Sequence, residues 1–215
     1  MQSLEAINNE TKKAYNKAAE KYYNLFYDEL DNKPFDKDFL DIYLNNFNSS
    51  SIICNAGCGP CGHIENYALK KDIGITGIDI SERCIEIARK HFPEIRFDTG
   101  DFSKLQCSDN YYDGLISYYS IIDTPKIYVD KILKEFNRVL KQNGLLLLVV
   151  KEGKEEGFQY ELLGIKTKIY YSLFTEEEIE TYLTANNFEI IKMQKRNPYQ
   201  EEIKINRIFS ISKKK

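Results

Sequence analysis

Gly57 and Gly59 stand directly behind a short apolar run at residues 51–55, and Asp79 and Asp101 follow where later apolar runs end. Glycine lets the backbone take a positive φ, or lets a ligand approach with no Cβ in the way. A carboxylate at the tip of a strand can accept hydrogen bonds from two neighbouring hydroxyls at once. These residue types in this order point to a small molecule resting on the main chain, and the glycine turn alone allows more than one. Gly57-Cys58-Gly59-Pro60-Cys61-Gly62 fits the G-x-G-x-x-G spacing of a dinucleotide loop, with Asp79 about twenty residues on, where a ribose-binding acid belongs. Pro60 weighs against that reading, because it removes an N–H from a loop that must offer donors to a pyrophosphate. Cys54, Cys58 and Cys61 have the C-x3-C-x2-C spacing of an iron–sulfur site. Cys54, however, falls inside the apolar run, where a cysteine is usually a small buried hydrophobe, so no metal centre is expected. His63 reads as structural, and His91 as a cation suited to a helix end.

From residue 51 onward, strand and helix patterns alternate, as in a parallel sheet with crossover helices. Strands are predicted at 51–55, 74–79, 95–99, 112–117 and 145–150, and helices at 61–71, 81–91 and 126–140. Ser81 is the expected N-cap of the second helix, and Asn143-Gly144 the expected end of the third. Unbroken apolarity at 145–150 marks burial on both faces. Ahead of the first strand, Tyr15, Ala18, Ala19, Tyr22, Leu25 and Phe26 recur at helical spacing over 8–30, and Phe39, Leu40, Tyr43 and Leu44 over 36–47. Residues 1–50 are therefore predicted to form a helical lid on a domain covering 51–215. The segment 152–174 is polar and glycine-punctuated, with a strand at 166–171. Thr175 and Glu178 have capping-box spacing for a helix ending near Asn186. Residues 188–195 and 204–212 read as a hairpin around Asn197-Pro198.

Composition narrows the partners. A net charge of -3 over 215 residues argues against a nucleic-acid surface. Lys213-Lys214-Lys215 reads as a solvated tail. Five cysteines, an odd number, suit a reducing compartment better than a disulfide framework. Residues 1–13 lack the apolar core of a signal peptide, and 145–150 is too short to span a bilayer. A cytoplasmic protein without membrane partners is expected. Its oligomeric state is left open between monomer and homodimer. Sixteen tyrosines and no tryptophan are the unusual feature.

The motifs in order, Asn55-Ala56-Gly57-Cys58-Gly59, Gly77-Ile78-Asp79-Ile80-Ser81, Gly100-Asp101-Phe102, Tyr112-Asp113-Gly114-Leu115-Ile116-Ser117 and the 136–144 connection, resemble the class I S-adenosylmethionine-dependent methyltransferases over residues 10–212. The resemblance implies an α/β fold: a three-layer α/β/α sandwich whose seven-stranded sheet is mostly parallel, with the last strand antiparallel. It also implies in-line methyl transfer from S-adenosylmethionine to a small molecule, giving S-adenosylhomocysteine. It assigns the cofactor to Tyr15, Tyr22, Asn55, Ala56, Gly57, Gly59, Asp79, Ile80, Cys84, Gly100, Asp101, Phe102 and Ser117. Asp79 would take the ribose hydroxyls and Asp101 the adenine amino group, and the tyrosine faces would stabilise the sulfonium. The acceptor belongs above the C-terminal ends of the first and fourth strands, near Tyr118, Tyr119, Ser120 and Asp123. Tyr119 and Asp123 are the catalytic candidates. Asp123 could serve as a base or could cap the following helix. Tyr170, Tyr171, Phe174, Arg196, Tyr199 and Arg207 are further candidates for the acceptor pocket. Two positions depart from the family pattern: Asn55 stands where an acid is usual, and Cys61 where a glycine is common, with Gly62 next to it. The alternatives are an inactive cofactor-binding or regulatory protein and, behind it, a nicotinamide-dependent oxidoreductase.

Overall fold

The apolar run at 145–150 becomes the middle of β5 (Leu140–Lys151), and Leu146 to Val150 are buried on both faces. Around it, the computed structural model describes residues 2–215; Met1, the first residue of the anticipated lid segment, lies outside the described residues. Strands β1 (Ile53–Ala56), β2 (Ile75–Asp79), β3 (Phe97–Thr99) and β4 (Tyr112–Tyr118) run parallel to β5. A polar hairpin, β6 (Glu156–Leu162) and β7 (Ile165–Ser172), forms a sheet of its own. The last two strands, β8 (Phe188–Arg196) and β9 (Arg207–Lys214), complete a sheet of order β3-β2-β1-β4-β5-β9-β8. β9 is antiparallel to both neighbours, as the family resemblance implies. Strand order reverses between β1 and β4, which opens a crevice at their C-terminal ends.

Apolar helix faces cover both sides of this sheet. On one side lie α5 (Val129–Val139), through Ile132, Leu133 and Phe136, and α6 (Glu176–Ala185), through Ile179 and Leu183. On the other lie α2 (Pro34–Leu44), through Phe39, Leu40, Tyr43 and Leu44, and α3 (His63–Leu69), through Ile64 and Ala68. α4 (Glu82–His91) is capped by Ser81, which accepts from the Cys84 N–H, and α6 has the full Thr175–Glu178 capping box. The two N-terminal helices have separate jobs. α2 belongs to the sandwich itself, and Pro34 opens it as an N1 residue. α1 (Leu4–Phe26) crosses the crevice and packs on α4 and β7.

Three local readings change. Asn143-Gly144 does not end α5, which stops at Val139; Asn143 takes φ 65° within β5, where the pairing with β4 shifts register. β6 gives no sequence signal because its residues are mostly exposed and do not alternate, yet Leu163-Gly164, both at positive φ, turn the chain tightly into β7. Lys213 and Lys214 are not a free tail. They lie in β9, and the Lys214 ammonium donates to the carbonyls of Asn137 (2.6 Å) and Leu140 (2.8 Å).

Candidate active site

The C-terminal ends of β1, β2 and β4 meet under α1 in a cavity lined by Thr11, Tyr15, Tyr22, Asn55, Gly57, Gly59, His63, Asp79, Ile80, Phe102, Tyr119 and Asp123, among others. Gly57, at φ 85°, turns the chain out of β1; a Cβ there would stand 2.3 Å from that of Ser120. The turn is tied to the β2 tip, where the Gly59 N–H donates to Asp79 Oδ2 (2.9 Å) and the Ser81 N–H to Oδ1 (2.8 Å). Burial raises the Asp79 carboxyl, and these two N–H groups oppose the rise. Asn55, at the end of β1, donates through Nδ2 to Glu65 Oε1 at 2.8 Å.

The cavity collects polar atoms that the protein leaves unpartnered. Thr11 Oγ1, Asn55 Oδ1, both ring nitrogens of His63 and the Tyr119 hydroxyl are buried without a hydrogen bond, and all four residues line it. Such atoms are costly in a dry interior and mark a place prepared for a polar ligand. Tyr119 also takes φ 57° directly after β4, a strained backbone for an aromatic residue. These residues fit S-adenosylmethionine: an acid at the β2 tip, a close-approach glycine turn, apolar Ile80 and Phe102 beside it, and unfilled donors and acceptors. Thr11 escaped sequence reasoning because nothing local marks it, and His63, read there as structural, instead lines the cavity; burial of its ring holds its pKa below the usual imidazole value.

Tyr15, Tyr22, Tyr119 and Asp123 also line a second, larger cavity of about 540 Å³, which opens toward β7 and residues 201–207. Tyr171, Lys151 and Arg207 stand in its wall. Asp123 accepts from the Tyr15 hydroxyl at 2.8 Å. Its burial pushes the carboxyl up to about 7, against the opposing influences of that hydrogen bond and of Lys151. Burial in turn lowers the Lys151 ammonium, with Asp123 opposing. A carboxylate that titrates near neutrality, shared by two cavities, can exchange a proton with a molecule in either.

Most of the other expected site residues lie outside the two cavities. Ala56 and Cys84 are buried, the latter beneath α1 with Ala19 and Ile87. Ser117 is buried and shares a hydrogen bond with Ser120 (2.6 Å). Gly100 and Asp101 border a different depression; Asp101 accepts from Asn8 Nδ2 (2.7 Å) and the Ser103 N–H (2.7 Å). Tyr118 lines the first cavity, but its hydroxyl is committed to Asp36 (2.6 Å). Phe174 is core. Arg196 is not in either cavity: its guanidinium is clamped by Asp36 and by Glu202 (2.7 Å), and the ring of Tyr199 lies 4.3 Å from it. The Tyr199 hydroxyl accepts from the Phe35 N–H at 3.0 Å. The cysteines diverge as well: Cys54 packs with Leu115 in one cluster and Cys58 with Ile85 and Phe97 in another.

A glycine turn after β1, an acid at the tip of β2 and this strand order define a class of protein. Residues 53–144 match the family model of a methyltransferase domain, and the chain has the fold of solved S-adenosylmethionine-dependent methyltransferases. A Bacillus subtilis protein provisionally named a 23S rRNA (guanine-N(1)-)-methyltransferase is 34% identical over 103 residues, 46% of this chain and 33% of that one. A ubiquinone/menaquinone biosynthesis C-methyltransferase of Campylobacter jejuni is 30% identical over 111 residues, 49% of this chain and 46% of that one. The chain thus spans between a third and a half of the length of these relatives. Among solved structures, the 1,6-didemethyltoxoflavin-N1-methyltransferase of Burkholderia thailandensis, with bound 1,6-didemethyltoxoflavin and S-adenosylhomocysteine, superposes with a TM-score of 0.76. That match has 16% identity and covers 100% of this chain and 91% of the other. Among the described residues, no helix is long and apolar enough to cross a membrane.

Proposed function

We propose that the chain is an S-adenosylmethionine-dependent methyltransferase acting on a small molecule. The observation that carries this reading is the cluster of unpartnered polar atoms on Thr11, Asn55, His63 and Tyr119 around the cavity where strand order reverses. When bound, S-adenosylmethionine supplies a methyl group on a positively charged sulfur, which leaves as the neutral thioether. Asp79 would hold the ribose hydroxyls, Ile80 and Phe102 would flank the base, and Gly57 would let the ligand lie on the main chain. Tyr15 and Tyr22, on α1, offer ring faces to a cation. The neighbouring cavity would take the acceptor, with Tyr171 in its wall and Lys33, Lys151 and Arg207 as its cations. Asp123 would accept an acidic proton from the acceptor as the methyl group transfers, and Tyr15 would steady its carboxylate. In-line placement supplies the rest of the acceleration. α1 acts as the lid over both cavities. A small molecule fits this enclosed site and the net charge of -3 better than a nucleic acid does. Five free cysteines, four of them buried, suit the cytoplasm.

Calorimetric titration of the purified protein with S-adenosylmethionine, S-adenosylhomocysteine and NAD tests the reading, with Asp79→Ala as control. Micromolar binding of the first two, weakened at least about tenfold in the variant, is expected from the loss of a charged hydrogen-bond acceptor. A folded protein that binds neither overturns the proposal, and preferential binding of NAD replaces it with an oxidoreductase.

A further inference from the structure

The family's usual acid at the end of β1 is here Asn55, and an amide cannot offset the charge of an ammonium group. Asn55 is buried to 1% exposure. Its Nδ2 is committed to Glu65 Oε1 (2.8 Å), which leaves Oδ1 unpartnered in a residue of the cavity wall. Glu65, in the first turn of α3, is also 1% exposed. The groups that face it are Asn55 and its own N–H, the carboxyl of Asp79, and the thiols of Cys54, Cys58 and Cys61. None of these is a cation. A buried carboxylate without a cation is an expensive arrangement, and it becomes favourable when a cation arrives nearby.

We propose that Glu65 is the relocated acid of this site: a positioning residue that orients Asn55 and supplies, through its amide, the negative charge that a ligand ammonium group requires. The proposal rests on the cofactor reading above and adds to it the residue that recognises the amino-acid end. A carboxylate only accepts, so ionised Glu65 fixes the amide with Nδ2 inward and presents Oδ1 to the ammonium. The same bond polarises the amide and strengthens that oxygen as an acceptor. Burial, with Asp79 adding to it, pushes the Glu65 carboxyl up to about 7, so near neutrality the ligand-free protein holds a partial proton there. An arriving ammonium group favours the ionised form, and that proton goes to solvent.

The test is Glu65→Gln, in which the side-chain amide oxygen still accepts from Asn55 and only the charge is removed. Titrations use S-adenosylhomocysteine, which has the ammonium group, and 5′-methylthioadenosine, which lacks the amino-acid end. They are run at pH 7 in buffers of different ionisation enthalpy, so that proton release is read directly. Glu65→Gln is expected to weaken S-adenosylhomocysteine about tenfold, to leave methylthioadenosine unchanged and to abolish part of the proton release. The release attributable to Asp79 and Asp123 persists in the variant. Adding Asn55→Asp, which returns the charge to the strand, is expected to restore affinity. Thermal melting of Glu65→Gln without ligand is expected to match or exceed the wild type, which separates a binding loss from misfolding. Equal affinity and equal proton release in wild type and variant overturn the proposal. Parallel weakening of both ligands also overturns it, because the residue would then merely support the glycine turn. Failure of the wild type to bind either ligand instead overturns the cofactor reading on which the proposal stands.

Discussion

Asp123 has two measurable signatures at the scale of a single residue. As the proposed base, it would work only when ionised. Turnover with an acidic acceptor is therefore expected to rise with pH through about 7. Asp123→Asn is expected to lower kcat/KM by about 10²–10⁴ and to remove that limb. The same shift affects stability with the opposite sign. The folded-state carboxyl titrates above its unfolded value, so the native state binds the proton more tightly. That contribution is fully present below about pH 4, and it is lost as pH rises through about 7. Asp123→Asn is expected to flatten the loss between those limits, as read from urea midpoints at successive pH values. A variant that loses activity while keeping the wild-type pH dependence of both rate and stability would show that Asp123 is not the titrating group.

At the scale of elements, Arg196 shows how a residue expected in a pocket becomes structural. It ends β8, and its guanidinium joins Asp36 on α2 to Glu202 in the segment before β9, with side-chain exposures of 5%, 0% and 8%. Glu202 is also paired with Lys33, and despite its burial these partners hold its carboxyl well below the usual range. The clamp fastens α2 to the C-terminal edge of the sheet. Removing one partner of a buried pair strands the other charges, so Arg196→Leu is expected to lower unfolding stability by about 3–5 kcal/mol, measured by urea denaturation. Calorimetry on the folded fraction is expected to show S-adenosylhomocysteine affinity within about twofold of wild type, a change of less than 1 kcal/mol. A large change in affinity would return Arg196 to the binding site.

At the scale of the whole molecule, the proposed lid is α1. The cavity beneath it has only about 60 Å³ free, whereas ligand sites commonly run to about 300–1,000 Å³. α1 is held at the rim by polar ties: Asn8 to Asp101 (2.7 Å), Tyr15 to Asp123 (2.8 Å) and the Ser81 hydroxyl to Asn16 (2.6 Å). Beneath these, the small residues Ala14, Ala18 and Ala19 are buried. Polar ties exchange with water at little net cost; in the proposed reading the helix lifts to admit a ligand, and Asp101 would be freed for the adenine when Asn8 lets go. Hydrogen exchange is expected to be faster in α1 than in β5 without ligand and to slow in α1 when S-adenosylhomocysteine binds. Exchange in α1 as slow as in β5, and unchanged by ligand, would remove its role as a lid.

The β/α alternation, both buried faces of β5, the caps at Ser81 and Thr175, and the order of the glycine turn and Asp79 were all legible in the chain's local pattern. Each of these is carried by neighbours in sequence: a periodicity, a cap, or a glycine that the turn demands. Which residues face the cavities was set by long-range packing. Arg196 and Phe174 were buried away from the cavities, Tyr118 turned its hydroxyl to Asp36, His63 came to line a cavity, and Thr11, Lys151 and Glu65 took positions that no local pattern marked. Those assignments depend on contacts between distant segments, such as Tyr15 with Asp123. They depend also on burial, which sets the charge state of a carboxylate and is a property of the packed molecule.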